Sequence, residues 1–218
     1  MLAKATRFKP LLGMLIFPVM GMIYAFLNKP PINVHTLITP FDIQTPFISV
    51  FILPYSVWIF YIYACLVYFL LKDPKVYWEA LVTYTLCALA CYAIYTVFQT
   101  TVPRPVITGD GILSKIMRWT YNKDQPFNCF PSIHCFSSYM VMKNLYKSSF
   151  KNLTNRILIY GMSSLIIAST LFVKQHVILD ILSAIVLVEI VYWIVLRTSL
   201  INRPLYNRIH AQLQRKTL

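Results

Sequence analysis

The chain has 218 residues, of which 58% are hydrophobic and 12% are charged, and its formal net charge is +13. A water-soluble domain carries about 25% charged residues and could not bury so much apolar surface in one core. The composition therefore excludes an ordinary soluble domain. Because the basic residues lie mostly between hydrophobic runs, we expect the lipid bilayer, and no nucleic acid, as the partner.

Six long runs with little or no charge predict membrane-spanning helices, since a helix needs about 20 apolar residues to cross a bilayer core of about 30 Å. They cover residues 11–27, 48–71, 80–102, 132–146, 157–173 and 177–196. Pro54 predicts a kink in the second run because proline lacks an amide hydrogen. The fourth run is short and polar, so we expect the other five to shield it from lipid. The prediction is an all-α integral membrane protein with six transmembrane helices, forming a single membrane domain over residues 1–218.

The positions of lysine and arginine predict the orientation of these spans. An even number of spans places both termini on one side, and 14 of the 20 lysines and arginines fall on that side. Cytoplasmic loops carry an excess of these residues. We therefore expect a multi-pass protein of the plasma membrane with both termini cytoplasmic. The basic cytoplasmic tail, residues 197–218, should lie along an anionic leaflet.

Three junctions on the outer side carry unusual polar residues. They contribute Arg104 after the third run and Ser132, Ile133 and His134 at the start of the fourth. Lys174 and His176 lie between the fifth and sixth runs, and Asp180 follows at the start of the sixth. A cation, a hydroxyl, two imidazoles and a carboxylate can therefore meet at one membrane face. That combination suits phosphate chemistry.

His176 and Asp180 are four residues apart, so on a helix they would share a face. The carboxylate can keep one imidazole nitrogen protonated and leave the other free to attack phosphorus. His134 would donate a proton to the leaving oxygen. Arg104 and Lys174 would balance the phosphoryl charge, while Ser132 and backbone amides near Ile133 would add hydrogen bonds.

A metal site is the competing interpretation of these residues. Zinc needs three or four clustered ligands, and a set of Cys129, His134, Cys135, His176 and Asp180 could be assembled for it. The nearby arginine and lysine favour an anion instead. We therefore expect neither a metal nor a cofactor.

These residues resemble the three motifs of the type-2 phosphatidic acid phosphatase superfamily. The first motif is matched by Arg104 and Pro105, with Val97 at its lysine position; the second by Pro131, Ser132 and His134, with Ile133 at its glycine position. The third is matched by Ser169, His176 and Asp180, with Thr170 at its arginine position. Order and spacing agree over about 80 residues. The pattern around His134 and His176 also looks like the inositol phosphorylceramide synthase branch.

The resemblance implies a six-helix membrane core and a phosphohistidine intermediate, with His176 as nucleophile, His134 as acid and Asp180 as partner. Val97 and Thr170 replace two phosphate-binding cations of the family, and Lys174 is expected to restore one. The loop residues Lys115, Arg118 and Lys123 could restore another.

The predicted function is hydrolysis of a lipid phosphate or diphosphate at the outer face. A lipid phosphotransferase that passes a phosphoryl or head group to an alcohol is the first alternative. A non-catalytic membrane protein that only binds phosphate is the second, and the complete His-His-Asp set argues against it. The lipid, the acceptor and the oligomeric state stay open.

Two acidic residues, Asp42 and Glu189, lie outside the motifs. Glu189 lies nine residues after Asp180 and should face away from the site, pairing with a neighbouring helix. Asp42 is expected to be either a helix cap or a contact at the pocket rim.

Overall fold

The fold is described from a computed structural model, which describes residues 9–29 and 34–198. Two predictions lie wholly or partly outside these residues. The basic tail is described only as far as Thr198, and the amino-terminal charges Lys4 and Arg7 are not described.

The described chain is mostly helical. In chain order the α-helices are α1 (Ile16–Leu27), α2 (Pro40–Gln44), α3 (Ile52–Ser56), α4 (Trp58–Lys72), α5 (Pro74–Val97), α6 (Ile112–Lys123), α7 (Ile133–Lys147), α8 (Leu153–Phe172) and α9 (Ile178–Arg197). Short 3-10 turns, Lys9–Leu15 and Ser49–Phe51, precede α1 and α3. Two short strands, β1 (His35–Thr36) and β2 (Thr100–Thr101), pair in parallel.

Five helical stretches are long and apolar enough to cross a membrane: Pro10–Leu27, Ser49–Lys72, Pro74–Val97, Leu153–Phe172 and Ile178–Arg197. The prediction of an all-α membrane fold is confirmed. The count of six spans is not confirmed, because the fourth predicted run forms α7, which has 15 residues. At about 1.5 Å per residue such a helix is shorter than the bilayer core.

Helix α7 lies inside the bundle, in contact with α4, α5, α8 and α9. Its polar residues Ser137, Ser138 and Asn144 are fully buried, which agrees with the prediction that other helices shield this run. Near the carboxyl-terminal end of α7, Lys143 contacts Glu189 of α9 at 2.6 Å. Glu189 thus pairs with a neighbouring helix, as the sequence suggested, and also accepts a hydrogen bond from Tyr139.

The third span is displaced from its predicted bounds of 80–102. Helix α5 begins at Pro74, where Asp73 caps it by accepting a hydrogen bond from the Lys75 amide at 2.9 Å. The predicted start of this span at residue 80 was wrong, because it assumed that the helix would begin after the charged residues. Lys75 and Glu79 lie within the helix. In the second span the helix is interrupted at Val57, between α3 and α4, three residues after Pro54.

Helix α6 was not predicted, although Trp119, Thr120 and Lys123 of this helix line the cavity described below. It contacts α3 and buries Met117 and Thr120. Its other face exposes Ile112 and Trp119. The chain that follows α6 leads directly into the site.

Candidate active site

A cavity of about 480 Å³ lies among α1, α4, α5, α7 and the segments around α6 and the end of α8. Its polar lining includes Ser56, Arg104, Thr120, Lys123, Asp124, Gln125, Asn128, His134, Gln175 and His176. Its apolar and aromatic lining includes Phe17, Pro18, Tyr24, Tyr55, Trp58, Ile59, Tyr63 and Tyr84. The cavity therefore offers both a charged site and a surface for hydrocarbon.

The length of the cavity follows from α1. Tyr24 hydrogen-bonds Asp124 in the polar lining, whereas Phe17 packs against Tyr63 and Tyr84. Seven residues of α-helix separate Phe17 from Tyr24, which corresponds to about 10 Å along the helix axis. The lining thus changes from polar to apolar over two turns of α1.

His176 and Asp180 are in contact, with 3.2 Å between His176 Nδ1 and Asp180 Oδ2. His176 is buried and Asp180 is fully buried. The contact was predicted, but its geometry differs from two residues on one helix face. His176 precedes α9, and Asp180 in the first turn reaches back to it and to the Val177 amide.

Backbone hydrogen bonds connect the turn that carries His176 to the end of α8. The amides of Gln175 and His176 both donate to the Thr170 carbonyl oxygen, at 2.9 and 3.1 Å. Lys174 takes a positive φ of 53° in this turn, a conformation that is uncommon outside glycine. The backbone thereby fixes the His176 imidazole at the cavity wall.

The ring centroids of His134 and His176 lie 5.8 Å apart. His134 is in the first turn of α7 and packs against Trp58 and Tyr55, with centroid distances of 4.1 and 4.5 Å. Both imidazoles line the same cavity.

Arg104 also lines the cavity, and its guanidinium is held by oxygen atoms. It donates to the Tyr121 carbonyl at 3.0 Å, to the Asp124 carbonyl at 2.6 Å and to the Gln175 side chain. Its carbon Cζ lies 4.5 Å from the Tyr121 ring centroid. The guanidinium charge is thus fixed beside the residue that precedes His176.

Asp124 is the lining residue that the sequence analysis missed. Its two carboxylate oxygens accept hydrogen bonds from Tyr24 and Tyr55, each at 2.7 Å. Burial raises the pKa of the Asp124 carboxyl, whereas His134 and the two tyrosine hydroxyls lower it, and the net pKa lies below the usual value. Asp124 thus adds a negative charge to the cavity.

Ser132 and Ile133 occupy different positions at the start of α7. Ser132 is fully buried, and its hydroxyl caps the helix by accepting from the Cys135 amide at 3.2 Å. Its own amide donates to the Asp180 carbonyl, which ties α7 to α9. Ser132 is not among the cavity-lining residues of the described chain, whereas Ile133 is. The predicted contact of the Ser132 hydroxyl with phosphate therefore does not match its placement.

Lys174 does not reach the cavity lining in the described chain, so the prediction that it restores a phosphate-binding cation requires correction. Its ammonium donates to the carbonyls of Asp42 and Thr45, at 2.9 and 2.5 Å. Those two carbonyls are hydrogen-bond partners of the Lys174 ammonium in the loop around α2. Lys174 thus holds the turn before His176 against the loop around α2.

Asp42 is a helix cap, one of its two predicted roles. Oδ2 accepts hydrogen bonds from the amide and hydroxyl of Thr39, at the start of α2. Oδ1 accepts from the Ile178 amide at the start of α9, at 2.8 Å. One carboxylate therefore caps two helices, one of which begins two residues after His176.

The two positions where family cations are replaced lie outside the cavity. Val97 is 83% exposed at the end of α5. Thr170 is fully buried, and its hydroxyl donates to the Ile167 carbonyl. Among the described residues that line the cavity, the lysines and arginines are Arg104 and Lys123.

Cys129, His176 and Asp180 form one group that could hold a metal ion. One potential ligand atom from each lies within 4.8 Å of the others, and all three residues are buried. Burial raises the pKa of the Cys129 thiol, and the nearby Asp180 and Asp124 add to the effect. A thiolate, an imidazole and a carboxylate are acceptable zinc ligands. The metal interpretation therefore has a defined location and can be tested by chelation.

A model of the PAP2 superfamily matches residues 32–194. The chain belongs to the PAP2 superfamily. Members of this superfamily are phosphatases and phosphotransferases, which supports a coarse assignment as a membrane enzyme of lipid phosphate chemistry. Searches of curated proteins and of solved structures found no significant match.

Proposed function

We propose that this protein is a metal-independent lipid phosphatase that hydrolyses a lipid phosphate or diphosphate at the outer membrane face through a phosphohistidine. The observation that carries the proposal is the shared cavity of His134 and His176, with 5.8 Å between their ring centroids. Asp180 contacts His176 Nδ1 at 3.2 Å and leaves Nε2 without this partner. A group with two imidazoles and one buried carboxylate has no use in phosphate binding alone.

The proposed reaction has two steps. His176 donates its Nδ1 proton in a hydrogen bond to Asp180, so its Nε2 lone pair can attack phosphorus. The bond from phosphorus to the lipid oxygen breaks as His134 gives that oxygen a proton. His134 then takes a proton from water, which attacks the phosphohistidine, releases phosphate and restores His176.

Arg104 is proposed to stabilise the charge that develops on the phosphoryl oxygens. Its guanidinium is already oriented by three oxygen acceptors, so it need not reorganise during the reaction. The apolar lining near Phe17 and Tyr84 would receive the hydrocarbon chain of the substrate.

Transfer of a head group to an alcohol is a second candidate, and the charges of the cavity favour it. Arg104 and Lys123 are opposed by Asp124, so the described lining balances little negative charge. A phosphate monoester carries about −1.5 to −2 charges at neutral pH, whereas a phosphodiester carries about −1. A phosphodiester lipid that gives its head group to His176 and then to an alcohol would need less compensation.

The deciding experiment incubates the purified protein with lipid phosphates, diphosphates and phosphodiesters, with and without alcohols. Free phosphate and transferred product are measured, and rapid acid quenching is used to trap a phosphoryl-enzyme. Hydrolysis that survives a chelator and stops in His176→Ala supports the phosphatase; product that appears only with an alcohol supports the transferase. Chelator-sensitive turnover without a trappable intermediate would overturn both and favour the group of Cys129, His176 and Asp180 as a metal site.

A further inference from the structure

Three side chains of the cavity lining each carry a buried N–H group that has no hydrogen-bond partner within the described residues. These groups are Nε of Arg104, Nδ2 of Asn128 and Nε2 of Gln175. Asn128 is 4% exposed and Gln175 is 2% exposed. A buried donor without an acceptor costs free energy, so its presence in a native protein needs an explanation, and a ligand that carries acceptor atoms is one.

Arg104 fixes the orientation of the Gln175 amide. A guanidinium can only donate hydrogen bonds, and Arg104 donates to Gln175 Oε1, so the oxygen end of the amide faces Arg104. The Nε2 group is therefore the end that remains to donate elsewhere. Because Gln175 directly precedes His176, this donor belongs to the same turn as the proposed nucleophile.

Gln99 fixes the Asn128 amide in the same way. Gln99 Nε2 donates to the Leu27 carbonyl at 3.4 Å and to Asn128 Oδ1 at 3.0 Å, which leaves Asn128 Nδ2 as the remaining donor. The next residue in the chain, Cys129, has a sulfur within 4.8 Å of a ring nitrogen of His176. A second segment of the chain thus brings an amide donor to the neighbourhood of His176.

We propose that Asn128 and Gln175 bind the oxygens of the substrate phosphoryl group through their amide N–H groups. The inference deepens the proposed function and rests on it, because it takes the phosphoryl group to lie against His176. The two amides are neutral and add hydrogen bonds to a site that lacks two cations of the family pattern. Donors that are held in place before the reaction stabilise developing charge without reorganising.

Gln175→Glu and Asn128→Asp test the donors while they keep the oxygens that are already in use. Each variant keeps the oxygen that accepts from Arg104 or from Gln99 and replaces only the N–H donor by a second oxygen. If the amides serve only to hold Arg104 and Gln99, both variants should stay active. If the amides bind the phosphoryl group, kcat/KM should fall about 10- to 100-fold, and the inhibition constant of orthovanadate should rise by about 10-fold or more.

Gln125→Glu is the matched control for the added negative charge. Gln125 lines the same cavity, but its Nε2 already donates to the carbonyls of Tyr121 and Asn122, at 3.3 and 3.0 Å. Charge repulsion alone would weaken orthovanadate binding about equally at all three positions, and that result would overturn the proposal. Loss of a phosphoryl-binding donor predicts a clearly smaller effect at Gln125 than at Asn128 or Gln175.

Binding of inorganic phosphate separates this inference from the proposed function, because it needs no turnover. Phosphate that binds the folded protein raises its melting temperature. We expect this rise in the wild-type protein and in Gln125→Glu, and its loss in Gln175→Glu and Asn128→Asp. If no phosphoryl-enzyme forms on any lipid phosphate but this pattern is seen, the proposed function fails and the amide site stands.

Two results would overturn the amide site and leave the proposed function standing. One is near-native kcat/KM with an unchanged phosphate-dependent rise in both Gln175→Glu and Asn128→Asp. The other is a wild-type protein that forms a phosphoryl-enzyme but shows neither the rise nor inhibition by orthovanadate. Each position is scored separately on folded protein, so a variant that does not fold leaves the other position to decide.

Discussion

At the scale of single residues, His176 and Asp180 are oriented by the backbone as well as by each other. The His176 amide donates to the Thr170 carbonyl, and the Val177 amide donates to the same Asp180 oxygen that faces His176. The other oxygen, Oδ1, is buried and has no hydrogen-bond partner within the described chain. A charged, incompletely paired carboxylate at a buried position is costly, which fits a role in stabilising a positively charged imidazole.

Substitutions at this pair should separate attack from orientation. His176→Ala should abolish turnover, because the attacking nitrogen is lost. Asp180→Asn should retain a small residue of activity, with kcat lowered roughly 100- to 10,000-fold, because the tautomer of His176 is no longer secured. Steady-state assays measure the turnover of both variants, and acid-quench trapping shows whether a phosphoryl-enzyme still forms. Full activity in His176→Ala would remove it as the nucleophile.

Loss of His134 should slow turnover most for substrates whose leaving group is hardest to release. His134→Ala should turn over a natural lipid phosphate about 100-fold or more slowly, since alkoxide departure needs a proton. An aryl phosphate with an acidic phenol should be much less affected. The same loss on both substrates would show that His134 acts in binding and not as the acid.

Lys174 should support the fold and not the phosphate. Lys174→Ala removes hydrogen bonds to the carbonyls of Asp42 and Thr45, and the unfolding free energy should fall by about 1–3 kcal/mol. The folded fraction should keep a near-native kcat. Lys115→Ala, at an exposed position of α6, is the control and should leave both quantities unchanged. A loss of kcat without a loss of stability would place Lys174 at the substrate.

At the scale of elements, the site depends on the junctions where helices begin. Ser132 caps α7 two residues before His134, and Asp42 caps α9, which begins two residues after His176. The Ser132 amide and the Asp180 carbonyl connect these two helix starts. Capping therefore sets the distance between the two imidazoles.

Asp42 and Asp73 provide a matched comparison of two caps. Asp42→Ala and Asp73→Ala should each lower the unfolding free energy by about 1–2 kcal/mol per lost cap. Asp42→Ala should also lower kcat, because the start of α9 moves with respect to His176. Asp73→Ala, which affects only the start of α5, should not. Equal activity in both variants would show that the α9 cap does not position the site.

The sequence predicted the elements that rest on apolar composition, and missed those that rest on amphipathic pattern. Charge-free runs located four helical stretches to within a few residues: Pro10–Leu27, Ser49–Lys72, Leu153–Phe172 and Ile178–Arg197. Helix α6 carries apolar residues at helical spacing, Leu113, Ile116 and Met117, which would have indicated it. The site prediction used the spacing of the motifs. It expected Arg104, His134 and His176 in one pocket, and all three line the same cavity.

Asp124 could not be predicted in the same way. Its partners Tyr24 and Tyr55 lie 100 and 69 residues away in the chain. No local spacing connects them, and only the packing of α1 and α3 against the segment after α6 brings them together. The sequence also could not show that backbone carbonyls satisfy Lys174.

At the scale of the whole molecule, the site lies at the end of the bundle where α7 and α9 begin. The Lys143–Glu189 pair lies towards the opposite end of these helices. Under the predicted orientation, the cavity faces outward and the pair faces the cytoplasm. Because the short helix α7 is enclosed by its neighbours, the polar chemistry can lie within the membrane profile without contacting lipid.

The orientation can be tested by labelling single introduced cysteines in sealed cells. Asp110 lies in the predicted outer segment before α6, and Ser149 lies in the predicted cytoplasmic turn between α7 and α8; both are exposed. The native cysteines, Cys65, Cys87, Cys91, Cys129 and Cys135, are all buried, so background labelling should be low. A membrane-impermeant maleimide should label Asp110→Cys in intact cells. It should label Ser149→Cys only after permeabilisation, since charge asymmetry places that turn inside. The reverse pattern would move the cavity to the cytoplasmic face and restrict its substrates to lipids of the inner leaflet.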